Sequence, residues 1–188
     1  MAWDLLGKVL VSRSVDGTVA VRLTEVEAYL GPDDPACHTA GRKRTDRVQS
    51  MWGEAGRAYV YMIYGLHHCL NVVTVGEAGE AILLRGAVAV SGDELIRLRR
   101  GPTVSRKHLL NGPGKLCQAL AVDRGDDGVD LCDSVGRLWI ADDGTIPRPE
   151  AVEVSGRIGV DYAGDAAHWP LRFVWRPDGH AGIMGPGG

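Results

Sequence analysis

Residues 24–38 read Thr-Glu-Val-Glu-Ala-Tyr-Leu-Gly-Pro-Asp-Asp-Pro-Ala-Cys-His and mark the point where a β-rich run becomes a loop. Side chains alternate between the two faces of a strand, so Glu25, Glu27 and Tyr29 are expected on one face and the apolar residues between them on the other. The glycine and prolines that follow force a turn, because proline fixes φ and restricts the residue before it. An isolated Glu-x-Glu is more often an acidic surface than a catalytic site, but catalytic groups favour such strand-to-loop edges.

Further motifs follow in order along the chain. They are residues 59–65 (Tyr-Val-Tyr-Met-Ile-Tyr-Gly), Asn71, Leu-Leu-Arg85, residues 112–120 (Gly-Pro-Gly-Lys-Leu-Cys-Gln-Ala-Leu), residues 157–160 (Arg-Ile-Gly-Val) and residues 170–173 (Pro-Leu-Arg-Phe). Together with Glu-x-Glu-Ala-Tyr-Leu-Gly-Pro-x-Asp and His38, this series resembles the 3-methyladenine (alkylpurine) DNA glycosylase family of mammals and many bacteria. The resemblance extends from about Leu5 to Trp175, which is nearly the whole chain.

Runs of short strands with helical segments between them predict an α+β fold. Asp16-Gly17 between apolar runs at 9–13 and 18–29 is typical of a hairpin, and the apolar run at 81–90 should lie in the middle of a sheet. Further strands are predicted at residues 59–64, 70–75, 138–141, 151–155, 156–162 and 171–175, and helices at residues 92–100 and 115–122, the second with Asn111 as a possible cap. With the resemblance, this indicates a single domain over residues 1–176: a curved, mostly antiparallel β-sheet core, flanking helices and a protruding β-hairpin.

Length and composition support one globular domain, since the chain has 188 residues, of which 45% are hydrophobic and 24% charged. Residues 177–188 are rich in Gly and Pro and are expected to lack fixed structure. The four cysteines show no Cys-x-x-Cys spacing and the N-terminus has no signal-peptide pattern, which indicates reduced thiols in the cytosol. The resemblance implies a bacterial cytoplasmic protein that associates with the nucleoid when it acts on DNA. Apolar stretches end before the roughly 18 residues of a membrane helix, so no span is predicted.

The net charge of −3 argues at first against a nucleic-acid partner, because phosphate binding usually requires a basic excess. The distribution of charge favours one. Residues 39–65 carry five basic and two acidic side chains (+3), residues 92–115 carry six and two (+4), and residues 123–153 carry three and nine (−6). Such segments are often only solvated surface. Basic segments beside aromatic residues nevertheless suit a one-sided contact with DNA.

The resemblance implies hydrolysis of the N-glycosidic bond of a damaged purine, which leaves an abasic site. Glu27 is then the general base that activates water, and the backbone carbonyl of Ile158 is a further partner of that water. Arg85 lies on an apolar strand and needs an anionic partner, for which Glu27 is the candidate. Such a neighbour is expected to lower the pKa of Glu27 and keep it ionised. A purely structural ion pair is the alternative for Arg85.

Lysine positions bear on the type of glycosylase. A Schiff-base lyase needs a lysine beside the reacting sugar, and none of the four lysines lies next to Glu27 or in the tyrosine-rich strand. They are Lys8, Lys43, Lys107 and Lys115. The expected enzyme is therefore a monofunctional glycosylase, without a cofactor or metal.

An enzyme that acts on a base inside a duplex must flip that base out of the stack, at roughly a few kcal/mol. The resemblance implies that Tyr64, at the tip of a strand pair, is the wedge that fills the gap. Tyr29 would stack on one face of the flipped base, and His38 and Tyr61 on the other. Tyrosines in such runs are more often core residues, and Tyr59 is assigned to the core.

The resemblance places Asn71 on the pocket floor, at the start of a strand, where its amide would exclude the 2-amino group of guanine. The alternative is an amide that satisfies backbone groups at a strand end. The residues expected to contact DNA phosphates are Arg47, Arg100, Lys115 and Arg124, with ordinary surface charge as an equal alternative. The partner is double-stranded DNA with damaged purines, bound by a monomer. The pattern fits 3-methyladenine, 7-methylguanine, hypoxanthine and ethenoadenine alike.

A metal hydrolase, a thiol-dependent enzyme and a non-catalytic binding module are the alternatives to a glycosylase. The residues that suggest a metal hydrolase are Glu27, His38, His67, His68 and Cys69. Adjacent histidines point to opposite faces of a strand, however, and no His-x-x-x-His or paired cysteines accompany them. Cys37 and His38 fail as a thiol catalytic pair, because neighbours in sequence rarely meet in the required geometry. A non-catalytic nucleic-acid-binding module, in which Glu27 is structural, is the third alternative.

Overall fold

The structure is a computed structural model that describes residues 1–177. The strands of its sheet are β1 (Val9–Ser14), β2 (Gly17–Tyr29), β3 (Ala58–Ile63), β4 (His67–Val75), β5 (Glu80–Ser91), β6 (Leu138–Ala141), β7 (Val152–Ser155) and β8 (Arg172–Trp175). The α-helices are α1 (Ala2–Leu5), α2 (Asp93–Arg100) and α3 (Pro113–Leu120). Short 3₁₀ turns lie at Gly31–Asp33, Ala40–Arg42, Asp46–Trp52, Arg106–His108, Arg124–Asp126, Pro149–Ala151 and Asp161–His168.

The long strand β2 organises the sheet. Strand order is β3-β4-β5-β2-β1-β6, and each of these pairs is antiparallel. Along its other edge β2 pairs first with β1 and then, at residues 25–27, with β8, which in turn pairs with β7. The register between β2 and β5 shifts on both sides of Glu25. Because bulges bend and twist a strand, the sheet curls around the segment that carries Glu25 and Glu27.

The sheet has two chemically different faces. On one face, Leu23, Leu70 and Leu84 are fully buried in a core that includes Leu116 and Leu120 of α3. Each buried leucine contributes roughly 1.5–3 kcal/mol. The alternate residues of the same strands point to the opposite face, which is covered by loop segments at residues 36–52 and 160–166. Helix packing therefore supplies the main core and leaves the second face available for a site.

The predicted α+β fold, with its curved antiparallel sheet and a hairpin made by β3 and β4, is confirmed. The predicted first hairpin is also present, with Ser14 paired to Gly17 across the turn. Strand β5 lies between β4 and β2, as its apolar sequence predicts. Within the described residues, no helix is both long and apolar enough to cross a membrane.

The prediction of a strand at residues 156–162 is wrong. The segment is a loop that leads into the 3₁₀ turn Asp161–His168. Gly156 packs so closely that a Cβ there would lie 2.9 Å from the carbonyl oxygen of Ala167. Gly159 has a φ of 75°, in the left-handed region that strands do not use. Two glycines in unusual environments therefore outweigh the apolar residues between them.

Three smaller expectations concern the side chain of Asn111, the position of Asn71 in its strand, and the C-terminal tail. Asn111 does not cap α3, because Gly112 occupies the capping position and the Asn111 side chain accepts a hydrogen bond from Lys115 instead. Asn71 is not at the start of a strand: β4 begins at His67, and Asn71 lies opposite Tyr59 within the ladder. The tail predicted over residues 177–188 lies, from residue 178 onward, outside the described residues.

Candidate active site

A cavity of about 560 Å³ opens on the second face of the sheet, and the first two residues of α3 reach its edge. Such a volume is typical of sites for small ligands. Eight residues selected from the sequence line it: Tyr29, His38, Arg47, Tyr61, Tyr64, Asn71, Arg85 and Ile158. Glu27, Arg100, Lys115 and Arg124 are outside its lining. A second cleft of about 530 Å³, near residues 146–153 and 175–176, contains none of the selected residues.

Glu27 lies directly behind the cavity wall and is 0% exposed. Its Oε1 accepts a hydrogen bond from the backbone N–H of Ile158 (2.8 Å). Its Oε2 accepts one from the Tyr29 hydroxyl (2.9 Å) and one from Nη1 of Arg85 (3.2 Å). All three donors belong to residues that line the cavity. A buried carboxylate requires such partners, and Oε1, with one of them, retains a lone pair for a further donor.

Burial raises the pKa of Glu27 above its ordinary value, although Arg85, the Ile158 N–H and the Tyr29 hydroxyl each lower it. The neighbouring charge of Glu25 adds a smaller rise. The expectation that Arg85 keeps this pKa low is therefore wrong in its net direction, because the loss of water outweighs the ion pair. Once ionised, Glu27 is a stronger base than an exposed glutamate.

Arg85 bridges two carboxylates instead of one. Its Nε donates to Oε1 of Glu25 (3.2 Å), and the same oxygen accepts from Nε of Arg172 (2.7 Å). The two glutamates of the Glu-x-Glu motif thus lie on the same face of β2, as alternation predicts. Glu25 anchors Arg85 from behind, so the guanidinium is fixed against Glu27 from two sides.

Tyr29 forms one wall of the cavity. The guanidinium carbon of Arg157 lies 4.8 Å from the centroid of its ring. Arg157 is paired with Asp34, and both side chains are fully buried. Burial alone would raise the pKa of Asp34, but hydrogen bonds from Arg157 and from the backbone N–H groups of Leu30 and Ala36 hold it below its ordinary value. The pair therefore stays charged behind the ring of Tyr29.

The opposite wall is a cluster of aromatic rings. The His38 ring packs edge-on against Tyr61, with 4.6 Å between centroids, and its Nδ1 lies 2.8 Å from the Tyr59 hydroxyl. Tyr59 is 1% exposed, so its assignment to the core is confirmed, although its hydroxyl also fixes His38. Burial lowers the pKa of His38, and the positive charges of Arg47 and Lys43 lower it further. His38 is therefore a neutral ring at neutral pH.

Asn71 lies in the cavity lining and is 4% exposed. Its Nδ2 donates to the backbone carbonyl of Tyr59 (3.0 Å). The amide satisfies a backbone carbonyl, as the alternative to a pocket role predicts. It also lines the cavity, as a substrate-binding role requires. The hydrogen bond fixes the amide plane with respect to the cavity.

Tyr64 projects from the turn between β3 and β4. It is 89% exposed, and its φ of 55° lies in the left-handed region. Gly65 follows with a φ of 65°, and Leu66 is 73% exposed. A non-glycine residue with positive φ is uncommon, so the turn holds a bulky exposed ring in a backbone conformation that is unfavourable for it.

Side chains close the outer edge of the hairpin. The backbone N–H of Val60 donates to Oδ1 of Asp127 (2.8 Å), and the Val60 carbonyl accepts from Arg124. Near the tip, Nη2 of Arg47 donates to the carbonyl of Met62 (3.3 Å). Because an unpaired strand edge exposes backbone groups, these contacts stabilise β3 where no further strand covers it.

The four basic residues selected from the sequence differ in what they contact. Arg100 donates to the carbonyls of Leu109 and His108 and to the Gln118 side chain, and Arg124 holds Val60 and Asp127. The Lys115 ammonium donates to Asn111 (2.8 Å) beside Gly114, which lines the cavity. Arg47 is exposed and lies over the Tyr61 ring at 5.7 Å. Of the four, Arg47 therefore lines the cavity itself, and Lys115 directly follows a residue that lines it.

The described residues form neither of the rival sites, the metal centre or the thiol–imidazole pair. Within residues 1–177, no group of three or more His, Cys, Asp or Glu side chains is placed to hold a metal ion. Cys37 Sγ lies 3.1 Å from Thr39 Oγ1, whereas His38 contacts Tyr59. Cys37 and His38 therefore do not form a thiol–imidazole pair.

Comparison with known proteins identifies the family. The family model described as methylpurine-DNA glycosylase (MPG) matches residues 1–178. Three relatives share the provisional name 3-methyladenine DNA glycosylase. The protein of Bdellovibrio bacteriovorus is 42% identical over 94% of this chain and 88% of its own length. The protein of Methanocella arvoryzae is 42% identical over 92% of this chain and 84% of its own length. The protein of Streptomyces avermitilis is 44% identical over 92% of this chain and 80% of its own length.

The chain belongs to the methylpurine-DNA glycosylase family. It is a monofunctional DNA glycosylase, a hydrolase that removes alkylated bases from DNA, and the resemblance found in its sequence is confirmed.

Several residues at the site of this glycosylase were missed from the sequence. Asp34, Arg157 and Arg172 all lie within the quoted motifs. For Arg157 and Arg172 the available signal was a charged residue in an otherwise apolar motif, whereas Asp34 lies in an acidic motif and has no such signal. Tyr162 lines the cavity, is 71% exposed, and donates its hydroxyl to the carbonyl of Ala36 (3.2 Å). Nothing in the sequence pattern distinguishes Tyr162.

We predict that Glu27 of the free glycosylase titrates above the ordinary glutamate pKa. Carboxyl ¹³C NMR of glutamate-labelled protein measures this, and Glu27→Gln assigns the resonance. Because the folded-state pKa is raised, the stability that Glu27 contributes is fully present below its unfolded pKa and is lost as pH rises through the folded pKa. A titration at or below the ordinary value would contradict the prediction.

Proposed function

We propose that this glycosylase flips alkylated and deaminated purines, 3-methyladenine and hypoxanthine among them, out of duplex DNA into the aromatic cavity. It then hydrolyses the N-glycosidic bond with a water that Glu27 activates. The observation that carries the proposal is one buried carboxylate held by three donors that all line the same cavity. The names of the relatives support 3-methyladenine as a substrate.

In the proposed reaction, a water oxygen bonds to C1′ of the sugar and the C1′–N bond breaks. The electron pair of that bond goes to the departing base, and Glu27 accepts a proton from the water. The products are the free base and an abasic site. Alkylation at N3 or N7 makes the base cationic, so it departs as a neutral molecule. Hypoxanthine, which carries no such charge, departs as an anion and takes a proton from solvent. Arg85 and the Ile158 N–H hold the Glu27 carboxylate in place while its charge changes.

Water must reach a carboxylate that has no exposed surface. The wall in front of Glu27 consists of Tyr29, Arg85 and Ile158. Ile158 is 50% exposed and is the least packed of the three. We assign the opening to a change of its side-chain rotamer, with its N–H still on Glu27 and its carbonyl as a second partner of the water.

Glu25 is a poorer candidate for the base than Glu27. Its Oε1 is already shared by Arg85 and Arg172, and Glu25 does not line the cavity or contact Tyr29 or Ile158. Two guanidinium groups on one carboxylate oxygen leave less of that oxygen free to bind a water. Glu25 is therefore assigned to holding Arg85.

Aromatic rings on two sides of the cavity support recognition of a flipped base. Tyr29 stacks on one face, and Tyr61 and His38 contact the other. An electron-poor or cationic purine gains about 0.5–2 kcal/mol from each such ring. A neutral His38 avoids placing a second cation beside an already cationic base.

The wedge and the basic residues account for contact with the duplex. Tyr64 enters the stack in place of the flipped base, as aromatic and apolar wedges do elsewhere. Arg47 and Lys115 are the main phosphate contacts, because Arg47 lines the cavity and Lys115 directly follows Gly114, which also lines it. Arg100 and Arg124 contribute through the donors that their internal hydrogen bonds leave unused.

The decisive experiment is release of free base from methylated duplex DNA by Glu27→Gln. We expect release to fall by at least about a hundredfold, since a general base contributes about 10²–10⁴. Folding and lesion binding should persist, and EDTA should have no effect on the wild type. Glu153→Gln, on an exposed residue paired with Arg176, is the control. Release by Glu27→Gln within a few-fold of wild type would remove Glu27 from this role.

Tyr64→Ser tests the wedge. Without the ring, flipping should become less favourable in paired duplex DNA and be less affected in a mismatch, where the base is already easier to extrude. Stopped-flow fluorescence of ethenoadenine reports the flipping equilibrium, and Tyr64→Phe, which keeps the ring, is the matched control. If Tyr64→Ser flips the base as readily as wild type, Tyr64 is not the wedge.

Asn71→Ala tests exclusion of guanine. The fixed Asn71 amide should crowd the 2-amino group and leave one of its donors unpaired, at about 1–3 kcal/mol. The variant should therefore release unmodified guanine slowly, most readily from mismatches, while its release of hypoxanthine changes less. Hypoxanthine release is the internal control, because loss of the bond to Tyr59 would reduce both rates. An unchanged ratio of guanine to hypoxanthine release would exclude Asn71 as the selectivity element.

A further inference from the structure

The Arg157–Asp34 pair lies behind the candidate site and connects three segments of the chain. Arg157 donates from Nη1 and Nη2 to the two oxygens of Asp34 (2.5 and 2.9 Å). The same two nitrogens also donate to the carbonyl of Ala28 (3.0 Å) and to that of Ala166 (3.2 Å). One guanidinium thereby joins strand β2, the loop after it and the 3₁₀ turn Asp161–His168.

This pair is a poor means of stabilising the fold. Both side chains are fully buried, and Nε of Arg157 has no hydrogen-bond partner among residues 1–177. Replacing a buried ion pair by apolar residues is often neutral or stabilising, because desolvation can exceed the Coulomb gain. A buried, incompletely satisfied arginine is therefore better explained by the geometry that it imposes.

The first group that the pair positions is the ring of Tyr29. Arg157 lies over the ring and is absent from the cavity lining, whereas Tyr29 is part of that lining. The ring is thus held from behind by the guanidinium and at its hydroxyl by Glu27. A guanidinium plane restricts an aromatic ring by stacking as well as by charge.

The second group is the backbone N–H of Ile158. It follows Arg157 directly and donates to Oε1 of Glu27. Gly156 packs closely against the carbonyl of Ala167, but among residues 1–177 nothing lies within 4 Å of a Cβ built at Gly159, and the Ile158 side chain is half exposed. Between these two glycines, the anchored side chain of Arg157 is the contact that fixes the backbone at Ile158.

We propose that the buried Arg157–Asp34 pair is the positioning element of this site, which sets both the stacking ring of Tyr29 and the N–H of Ile158 against Glu27. The proposal rests on the proposed function of Glu27 and adds residues that act through it. Neither Arg157 nor Asp34 contacts the base or the water. Misplacement of reacting groups by about 1 Å can cost a hundredfold in rate, so loss of this pair should act on the chemical step.

Arg157→Lys is the first test, because lysine keeps the charge and loses the bidentate contact. Arg137→Lys is the matched control: Arg137 also makes a bidentate pair, with Asp126, donates to the carbonyls of Ala121 and Arg13, and is absent from the cavity lining. Single-turnover release of 3-methyladenine should fall by about tenfold to a hundredfold in Arg157→Lys. In Arg137→Lys it should stay near wild type once corrected for the folded fraction. Equal losses in the two variants would overturn the proposal.

The second test separates this proposal from the proposed function. In a Glu27→Gln background, Arg157→Lys should produce little further loss of release, because the pair acts through Glu27. Losses that multiply would show independent action and overturn the proposal. If Glu27→Gln alone retained activity, the proposed function would fail with Arg157 intact, which is a different result.

Asp34→Asn provides a measurement that does not depend on activity. Hydrogen exchange at the Ile158 amide, followed by NMR, should be at least about tenfold faster than in wild type, because the anchored backbone is released. Unchanged exchange would contradict the proposal. Failure of both Arg157→Lys and Asp34→Asn to fold would assign the pair to folding alone and would also overturn it.

Discussion

The structure depends on keeping one carboxylate, Glu27, away from water. A buried charge is unfavourable unless it is paired and hydrogen-bonded, so the residues around Glu27 are constrained by its requirements. Arg85, Tyr29 and Ile158 contact it directly. Behind them, Glu25 and Arg172 hold Arg85, and Asp34 and Arg157 hold Tyr29. Three carboxylates and three guanidinium groups thus form one assembly, in which the charge of Glu27 is balanced by residues from distant parts of the chain.

Strand geometry explains how one sheet supports both a core and a site. Strands β2, β3 and β4 place apolar residues against α3 and reactive or aromatic residues on the opposite face. Bulges at Glu25 bend β2 where its partner changes from β1 to β8, which brings Arg172 to the Glu-x-Glu motif. The hairpin of β3 and β4 extends beyond the sheet, so Tyr61 faces the cavity and Tyr64 faces solvent from the same strand and turn.

Much of this arrangement can be predicted from the sequence, and the predictions that are wrong have identifiable physical reasons. The Glu-x-Glu alternation predicts a shared face, and Arg85 on an apolar strand predicts an ion pair with Glu27; both are present. The prediction that the pKa of Glu27 is lowered is wrong, because burial raises it. Burial depends on the segments that cover a strand, and the sequence of the strand does not specify them. The strand predicted at residues 156–162 is absent for a similar reason. Gly156 packs against the carbonyl of Ala167, a contact that the local sequence does not reveal. Asp34 and Arg157 are 123 residues apart, and no local pattern predicts their pairing.

The charge distribution explains how a protein with a net charge of −3 binds DNA. Most acids of residues 123–153 are neutralised locally. The pairs are Asp126–Arg137, Asp127–Arg124, Asp130–Arg57, Asp142–Lys8, Asp143–Arg22 and Glu153–Arg176. In the described part of the chain, Arg42, Lys43, Arg106 and Lys107 form no ion pair, and they belong to the two basic segments that also contain Arg47 and Lys115. Because exposed charges beyond about 8–10 Å are screened at physiological salt, a phosphate near the cavity responds to these unpaired cations more than to the net charge. Two of the basic residues of the first segment, Arg47 and Lys43, also add to the effect of burial in lowering the pKa of His38.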